Sequence, residues 1–150
     1  MKVFTDGACL GNPGPGGWAF AVVQGPWEGG CEANTTNQRM EITAVLQAIK
    51  SISVPLEIIS DSAYVVNCFR QNWWRNWINR SWRNSAGKPV ANRDLWEPLV
   101  KLFLERGQDQ VSFSWVKGHS GNPGNDFVDL IASRCAATQS QERGDISPLV

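Results

Sequence analysis

Hydrophobic and polar positions alternate, switch to a helical period and alternate again along these 150 residues. Residues 3–8 read as a strand that runs into the turn-rich stretch Gly11-Asn12-Pro13-Gly14-Pro15-Gly16-Gly17. A second strand begins near Trp18 and a third covers the region 30–35. Their short connections imply an antiparallel meander. Ile42, Val45, Leu46 and Ile49 then recur at helical spacing, with Thr35-x-x-Gln38 or Asn37 placed to cap the helix. Residues 54–59 form a buried strand that ends at Ser60-Asp61-Ser62. Helical patterns follow over 63–69, 73–80 and 94–105, with a Gly87-Lys88-Pro89 loop before the third. Residues 111–115 alternate as a half-buried strand. After a loop over 118–123, Val128, Ile131, Ala132 and Cys135 form the apolar stripe of a last helix. The tail over 138–150 is polar and is expected to be disordered. With no repeat and no linker, the pattern describes one α/β domain with mixed strand directions.

Composition narrows the function. The length suits a single domain with a continuous core. No apolar run approaches the roughly 20 residues needed to span a bilayer. An acid and a glycine arrive too early at the N-terminus for a secretion signal, so a cytoplasmic protein is expected. Cys9, Cys31, Cys68 and Cys135 lack the spacing of a metal clip, and a single histidine accompanies them, so they are expected to be reduced thiols. Net charge is zero, yet its distribution is uneven. Arg70, Arg75, Arg80, Arg83, Lys88, Arg93 and Lys101 face only Asp94 and Glu97 over that stretch. A polyanion responds to such a local patch rather than to the total.

Four acids carry the candidate chemistry. Asp6 lies within a predicted strand, where Asp is disfavoured, or else starts a turn before Gly7. Glu41 is placed in the first turn of its helix, where the dipole favours an acid. Asp61 follows a buried strand and could cap the next helix. Asp129 sits in the first half of the last helix, off its apolar stripe. Singly, the last three have structural explanations. Together, converging carboxylates would repel one another unless a cation sat among them, and hard divalent cations take oxygen ligands. His119, in Lys117-Gly118-His119-Ser120-Gly121, occupies a glycine-flanked loop; histidine suits proton shuttling, although an exposed loop position needs no role. Trp73, Trp74, Trp77 and Trp82 interleave with Arg75, Arg80 and Arg83. Such a segment either packs its rings onto the domain or offers rings and guanidinium groups to a nucleic acid.

Four blocks resemble one family. Thr5-Asp6-Gly7-Ala8-Cys9-Leu10-Gly11-Asn12-Pro13-Gly14-Pro15-Gly16-Gly17 is similar to the first signature of type 1 ribonuclease H. Thr35-Thr36-Asn37-Gln38-Arg39-Met40-Glu41 resembles the second and Ser60-Asp61-Ser62-Ala63-Tyr64-Val65 the third. Trp115-Val116-Lys117-Gly118-His119-Ser120-Gly121-Asn122-Pro123, with Asn125-Asp126 and Asp129, resembles the last. The likeness, to the bacterial kind with a basic protrusion, covers residues 2–137.

The resemblance implies a catalytic domain over 1–137, with a five-stranded mixed sheet of three antiparallel strands followed by two parallel ones, flanked by helices, and a basic protrusion over about 70–93. It implies an endonuclease that hydrolyses the RNA strand of RNA/DNA hybrids, leaving 5′-phosphate and 3′-hydroxyl ends. Asp6, Glu41, Asp61 and Asp129 would ligate two Mg2+ ions, or Mn2+ in their place, with His119 shuttling protons or aiding product release. Cys9, Asn12, Asn37 and Gln38 would lie along the minor groove and read ribose 2′-hydroxyls, the group that separates RNA from DNA. Trp73, Trp77 and Ser85 would line a channel for the DNA strand, Thr36 and Asn92 would hold a DNA phosphate, and Arg75 and Arg80 would bind backbone phosphates. A monomer acting without an obligate protein partner or a membrane is expected.

Some positions depart from the pattern. Ile78-Asn79 stands where relatives often carry lysines, Asn34 where some place an arginine, Ala63 where glutamine is common and Asp126 where glutamate is usual. None of these is one of the four acids, so altered affinity rather than lost activity is expected. Two rivals share part of the pattern: an integrase- or transposase-like DNA nuclease, and a catalytically silent module that only binds hybrids.

Overall fold

A computed structural model describes all 150 residues. Strands β1 (Lys2–Cys9), β2 (Gly14–Val22) and β3 (Trp27–Thr35) form the antiparallel meander. Helix α1 (Asn37–Ser51) leads to β4 (Leu56–Ser60), then α2 (Ala63–Arg70), α3 (Trp73–Asn79) and α4 (Arg93–Arg106) lead to β5 (Val111–Trp115). Helix α5 (Pro123–Thr138) and a short β6 (Glu142–Gly144) complete the chain. The sheet order is β5-β4-β1-β2-β3-β6, with β4 parallel to both β1 and β5. No helix is long and apolar enough to cross a membrane.

Strand alternation divides the core between the two faces of the sheet. Val3, Phe20 and Val22 meet Met40, Ile42, Val45 and Ile49 of α1 and the apolar faces of α2 and α4, including buried Trp96 and Phe103. Ala19 and Ala21 point the other way, into a smaller core with Val128, Ile131, Ala132 and Cys135 of α5, with Phe4 and Ala8 packed against it. All four cysteines are free, and Cys68 and Cys135 are core residues. Burial pushes the Cys135 thiol up to about 11, so it rests protonated.

Several expectations need correction. The sheet has six strands rather than five, and the tail expected to be disordered supplies the sixth. Trp27, Glu28 and Gly29 at the open edge of β3 pair with Gly144, Arg143 and Glu142. Ser147 Oγ donates to the Val22 carbonyl at 2.6 Å, Leu149 enters the α5-side core, and Arg134 holds Glu142 through two bonds of 2.7 and 2.6 Å. An edge strand offers unpaired backbone groups to any partner, which composition does not register. Strands β2 and β3 start earlier than expected, at Gly14 and Trp27. Glycine is required at Gly17: a Cβ there would strike the Ala132 carbonyl and lie 2.6 Å from the Ala136 nitrogen. The cap of α1 is Thr36, whose Oγ1 accepts from the Arg39 N–H at 3.2 Å. Glu41 consequently falls just past the first turn. Ser62, not Asp61, caps α2, freeing the Asp61 carboxylate from helix capping.

Candidate active site

Parallel pairing of β1 with β4 places the first two acids. The last paired residues are Thr5 and Ser60, so Asp6 and Asp61 follow side by side where β4 ends and β1 continues. Crevices at the carboxyl ends of strands are where α/β sheets expose chemistry. Val3 and Gly7 of β1 face α1, whereas Phe4 and Ala8 face α5, so alternation assigns Asp6 to the α5 side. Helix α1 crosses β1 at Gly7 so closely that a Cβ there would lie 2.5 Å from the Met40 carbonyl carbon and strike the Glu41 amide nitrogen. This approach brings Glu41 to the stretch of β1 beyond the end of β4, on the same cleft as Asp6 and Asp61. One carboxylate oxygen from each of Asp6, Glu41 and Asp61 lies within 4.8 Å of the others.

Asp129 borders the same cleft from α5, as does His119 from the β5–α5 loop, while Cys9 and Asn37 form part of its wall. The cleft encloses about 280 Å³. Asp129 is outside the close trio. His119 is exposed, with a left-handed φ of 54°.

The acids are electrostatically frustrated. Asp6 is buried, and burial foremost, then Asp61, Asp129 and Glu41, pushes its carboxyl up to about 9 against the opposing bond from the Gly7 N–H. Burial, followed by Asp61, pushes Glu41 to about 7, although a hydrogen bond from Ser62 favours its charged form. A cation among the acids would reverse both effects. The trio contains only hard oxygen donors, so it fits a hard divalent ion and lacks the nitrogen and sulfur ligands favoured by zinc.

The expected substrate residues fall into three groups. Cys9, Asn12, Asn37 and Gln38 meet where the β1–β2 turn abuts the start of α1: the Asn37 N–H donates to Asn12 Oδ1 at 3.2 Å, and the Cys9 thiol faces the Gly14 and Thr35 carbonyls at 3.4 Å. Thr36 and Asn92 form a second group around Arg39. The Arg39 guanidinium donates to Asn92 Oδ1 at 3.4 Å and grips Asp94 through bonds of 2.9 and 2.6 Å. The protrusion forms the third group. Its buried rings are Trp74 and Trp82, whereas Trp73 and Trp77 are half-buried, with their rings 6.4 Å apart between centroids and tilted by 57°. Arg75, Arg80 and Ser85 are exposed, with Arg75 stacked over Trp74.

Sequence reasoning missed three supports. Arg39 joins α1 to α4, but an arginine in a first helical turn has no pattern that reveals its distant partner. Trp115 Nε1 donates to the Asp61 carbonyl at 3.0 Å, and buried Asn125 donates to Asp61 Oδ2 at 3.2 Å. Both residues fell within the quoted blocks without a role, and only tertiary pairing distinguishes them.

Comparison with known proteins is decisive for the family. The RNase H family model matches residues 1–137. The chain is 46% identical over 146 residues to the ribonuclease H of Thermus thermophilus, covering 94% of this chain and 86% of that protein. This chain belongs to the ribonuclease H family. Ribonuclease H of Moorella thermoacetica is 44% identical, with 95% of each chain covered. Among solved structures, LC9-RNase H1, described as a type 1 RNase H with the type 2 active-site motif, superposes with a TM-score of 0.81 at 26% identity. The match covers 96% of this chain and 76% of that one. The mixed sheet and flanking helices are therefore those of a ribonuclease H fold, and the acidic cleft lies within the segment matched by the family model.

Proposed function

We propose that this ribonuclease H hydrolyses the RNA strand of RNA/DNA hybrids at the cleft formed by Asp6, Glu41, Asp61 and Asp129, using Mg2+ or Mn2+. The observation that carries this reading is the convergence of three carboxylates, two with raised pKa, in a chain of this family. Two divalent ions held by such acids would supply Lewis-acid chemistry suited to phosphodiester hydrolysis, favouring an attacking water and the oxygen that leaves. Asp6 and Asp61, adjacent where β4 ends beside β1, would supply oxygens from the sheet; Glu41 and Asp129 would supply them from helices packed on opposite faces. His119, on its exposed loop, carries a proton between the cleft and solvent through an imidazole nitrogen.

The remaining groups select the hybrid. Asn12, Asn37 and Gln38 are exposed beside the cleft and can bond the 2′-hydroxyls of an RNA strand, with Cys9 against the minor groove. Asn92, whose carbonyl oxygen is turned toward Arg39, retains its amide N–H groups for a DNA phosphate beside the Thr36 cap. The half-buried rings of Trp73 and Trp77 offer packing surface to deoxyribose, with Ser85 on the same protrusion, while Arg75 and Arg80 add phosphate contacts. The expected setting is a cytoplasmic monomer.

The test compares RNA/DNA, RNA/RNA and DNA/DNA duplexes with Mg2+, followed by end-group analysis. Cleavage confined to the hybrid's RNA strand, with 5′-phosphate and 3′-hydroxyl products, is expected. Cleavage of DNA/DNA would favour a DNA-processing enzyme, and binding without cleavage would favour a recognition module.

A further inference from the structure

Asp61 is held from several directions. The Trp115 indole N–H donates to its main-chain carbonyl at 3.0 Å. Gly118 closes against its carboxylate, where a Cβ would lie 2.7 Å from Oδ2. Asn125 donates its side-chain amide to the same Oδ2 at 3.2 Å, and this bond alone comes from α5.

Asn125 is itself fixed. It is 2% exposed, and its backbone N–H donates to the Asn122 cap at 3.1 Å. Its neighbour Gly124 lies against Phe4 of β1 with no room for a side chain. A carboxylate can only accept, so the amide must face Asp61 through its NH2 group. Asn125 and Asp129 are four residues apart on α5 and therefore share one helix face. The same turn of helix thus grips one acid and carries another.

We propose that Asn125 is a positioning residue: its amide orients the Asp61 carboxylate and sets the register in which α5 presents Asp129 to the other acids. The bond occupies Oδ2 from one side and leaves Oδ1 free for a cation. It also couples two acids that arrive from opposite parts of the chain. This role rests on the proposed metal-binding function of the four acids.

The test is Asn125→Ala, read by Mn2+ calorimetry without substrate and by steady-state cleavage of a hybrid. Groups that orient metal ligands typically change affinity or activity by about 10–100-fold when removed. The expected result is Mn2+ affinity weakened about tenfold and kcat lowered about tenfold, with the hybrid KM within about twofold. A merely structural role would lower thermal stability while leaving metal affinity and kcat at wild-type values, and that result in a folded variant would overturn the proposal.

Should the variant not fold, the wild-type protein can answer instead. The Asn125 side-chain amide signals should move during a Mg2+ titration with the half-saturation found by calorimetry on the same protein. Their failure to move while Mg2+ binds would also overturn the positioning role. Wild-type protein that binds neither ion would instead overturn the metal-binding reading beneath it.

Discussion

Gly7→Ala is a small change with a large expected effect. The added Cβ would lie 2.5 Å from the Met40 carbonyl carbon and strike the Glu41 amide nitrogen, whereas ordinary contacts begin near 3.4 Å. These obstacles belong to the helix backbone, so no rotamer change can relieve them. Helix α1 must retreat from β1 by about 1 Å, and Glu41 must retreat with it. Overpacking of this kind costs about 2–3 kcal/mol, which in a domain of this size lowers Tm by about 4–12 °C. An error of about 1 Å in a catalytic group can cost 100-fold in rate. The assay pairs thermal denaturation with hybrid cleavage about 20 °C below the variant's own midpoint, a margin ample for a folded population. Loss of both stability and rate is expected. An unchanged Tm with a rate within about twofold of wild type would refute the claim that this crossing positions Glu41.

Other features make separate predictions. In metal-free protein, Asp6 keeps its proton up to about 9 when folded but loses it near 3.8 when unfolded, and Glu41 does so to about 7 against 4.5. The unfolded state therefore binds fewer protons in that window, so Tm in chelator should fall as pH rises from about 5 to 9, and Asp6→Asn should flatten the fall; a Tm that rose with pH would contradict the raised values. Leu149→Ala should cost about 2 kcal/mol and lower Tm by about 4–8 °C while leaving cleavage at 25 °C intact, because it uncouples the tail from the α5-side core. A wild-type melt would show that the tail contributes nothing. Arg75→Ala with Arg80→Ala should weaken hybrid binding and flatten its log–log salt dependence by up to about one unit per lost phosphate contact; an unchanged slope would remove these residues from the interface.

Local patterns in the sequence revealed more than its long-range contacts. Residues 111–115 alternate cleanly and form β5 over that span, because a half-buried strand leaves a period of two in its own residues. The α1 stripe was equally legible, but its cap was not: the pattern pointed to Thr35 or Asn37, and the observed bond belongs to Thr36 between them. The tail misled because β6 pairs through backbone groups at the β3 edge and needs no apolar run. Trp74 and Trp82 entered the core while Trp73 and Trp77 stayed half-exposed, a division that residue type alone could not make. Asp6 and Asp61 became neighbours through parallel pairing of strands separated in the chain by two strands and a helix, and Asn125 joined them through a bond spanning 64 positions. Motif resemblance named the acids; pairing register, the Gly7 crossing and the α5 contact explain how they come together.

The most direct test follows a hybrid carrying labelled RNA through a Mg2+ titration, with wild-type protein and Asp6→Asn in parallel. Wild-type protein should cut the RNA strand only when Mg2+ is present, and the folded variant should bind the hybrid without cutting it. Equal cleavage by both proteins, or cleavage undiminished by chelator, would contradict an active site built on these carboxylates.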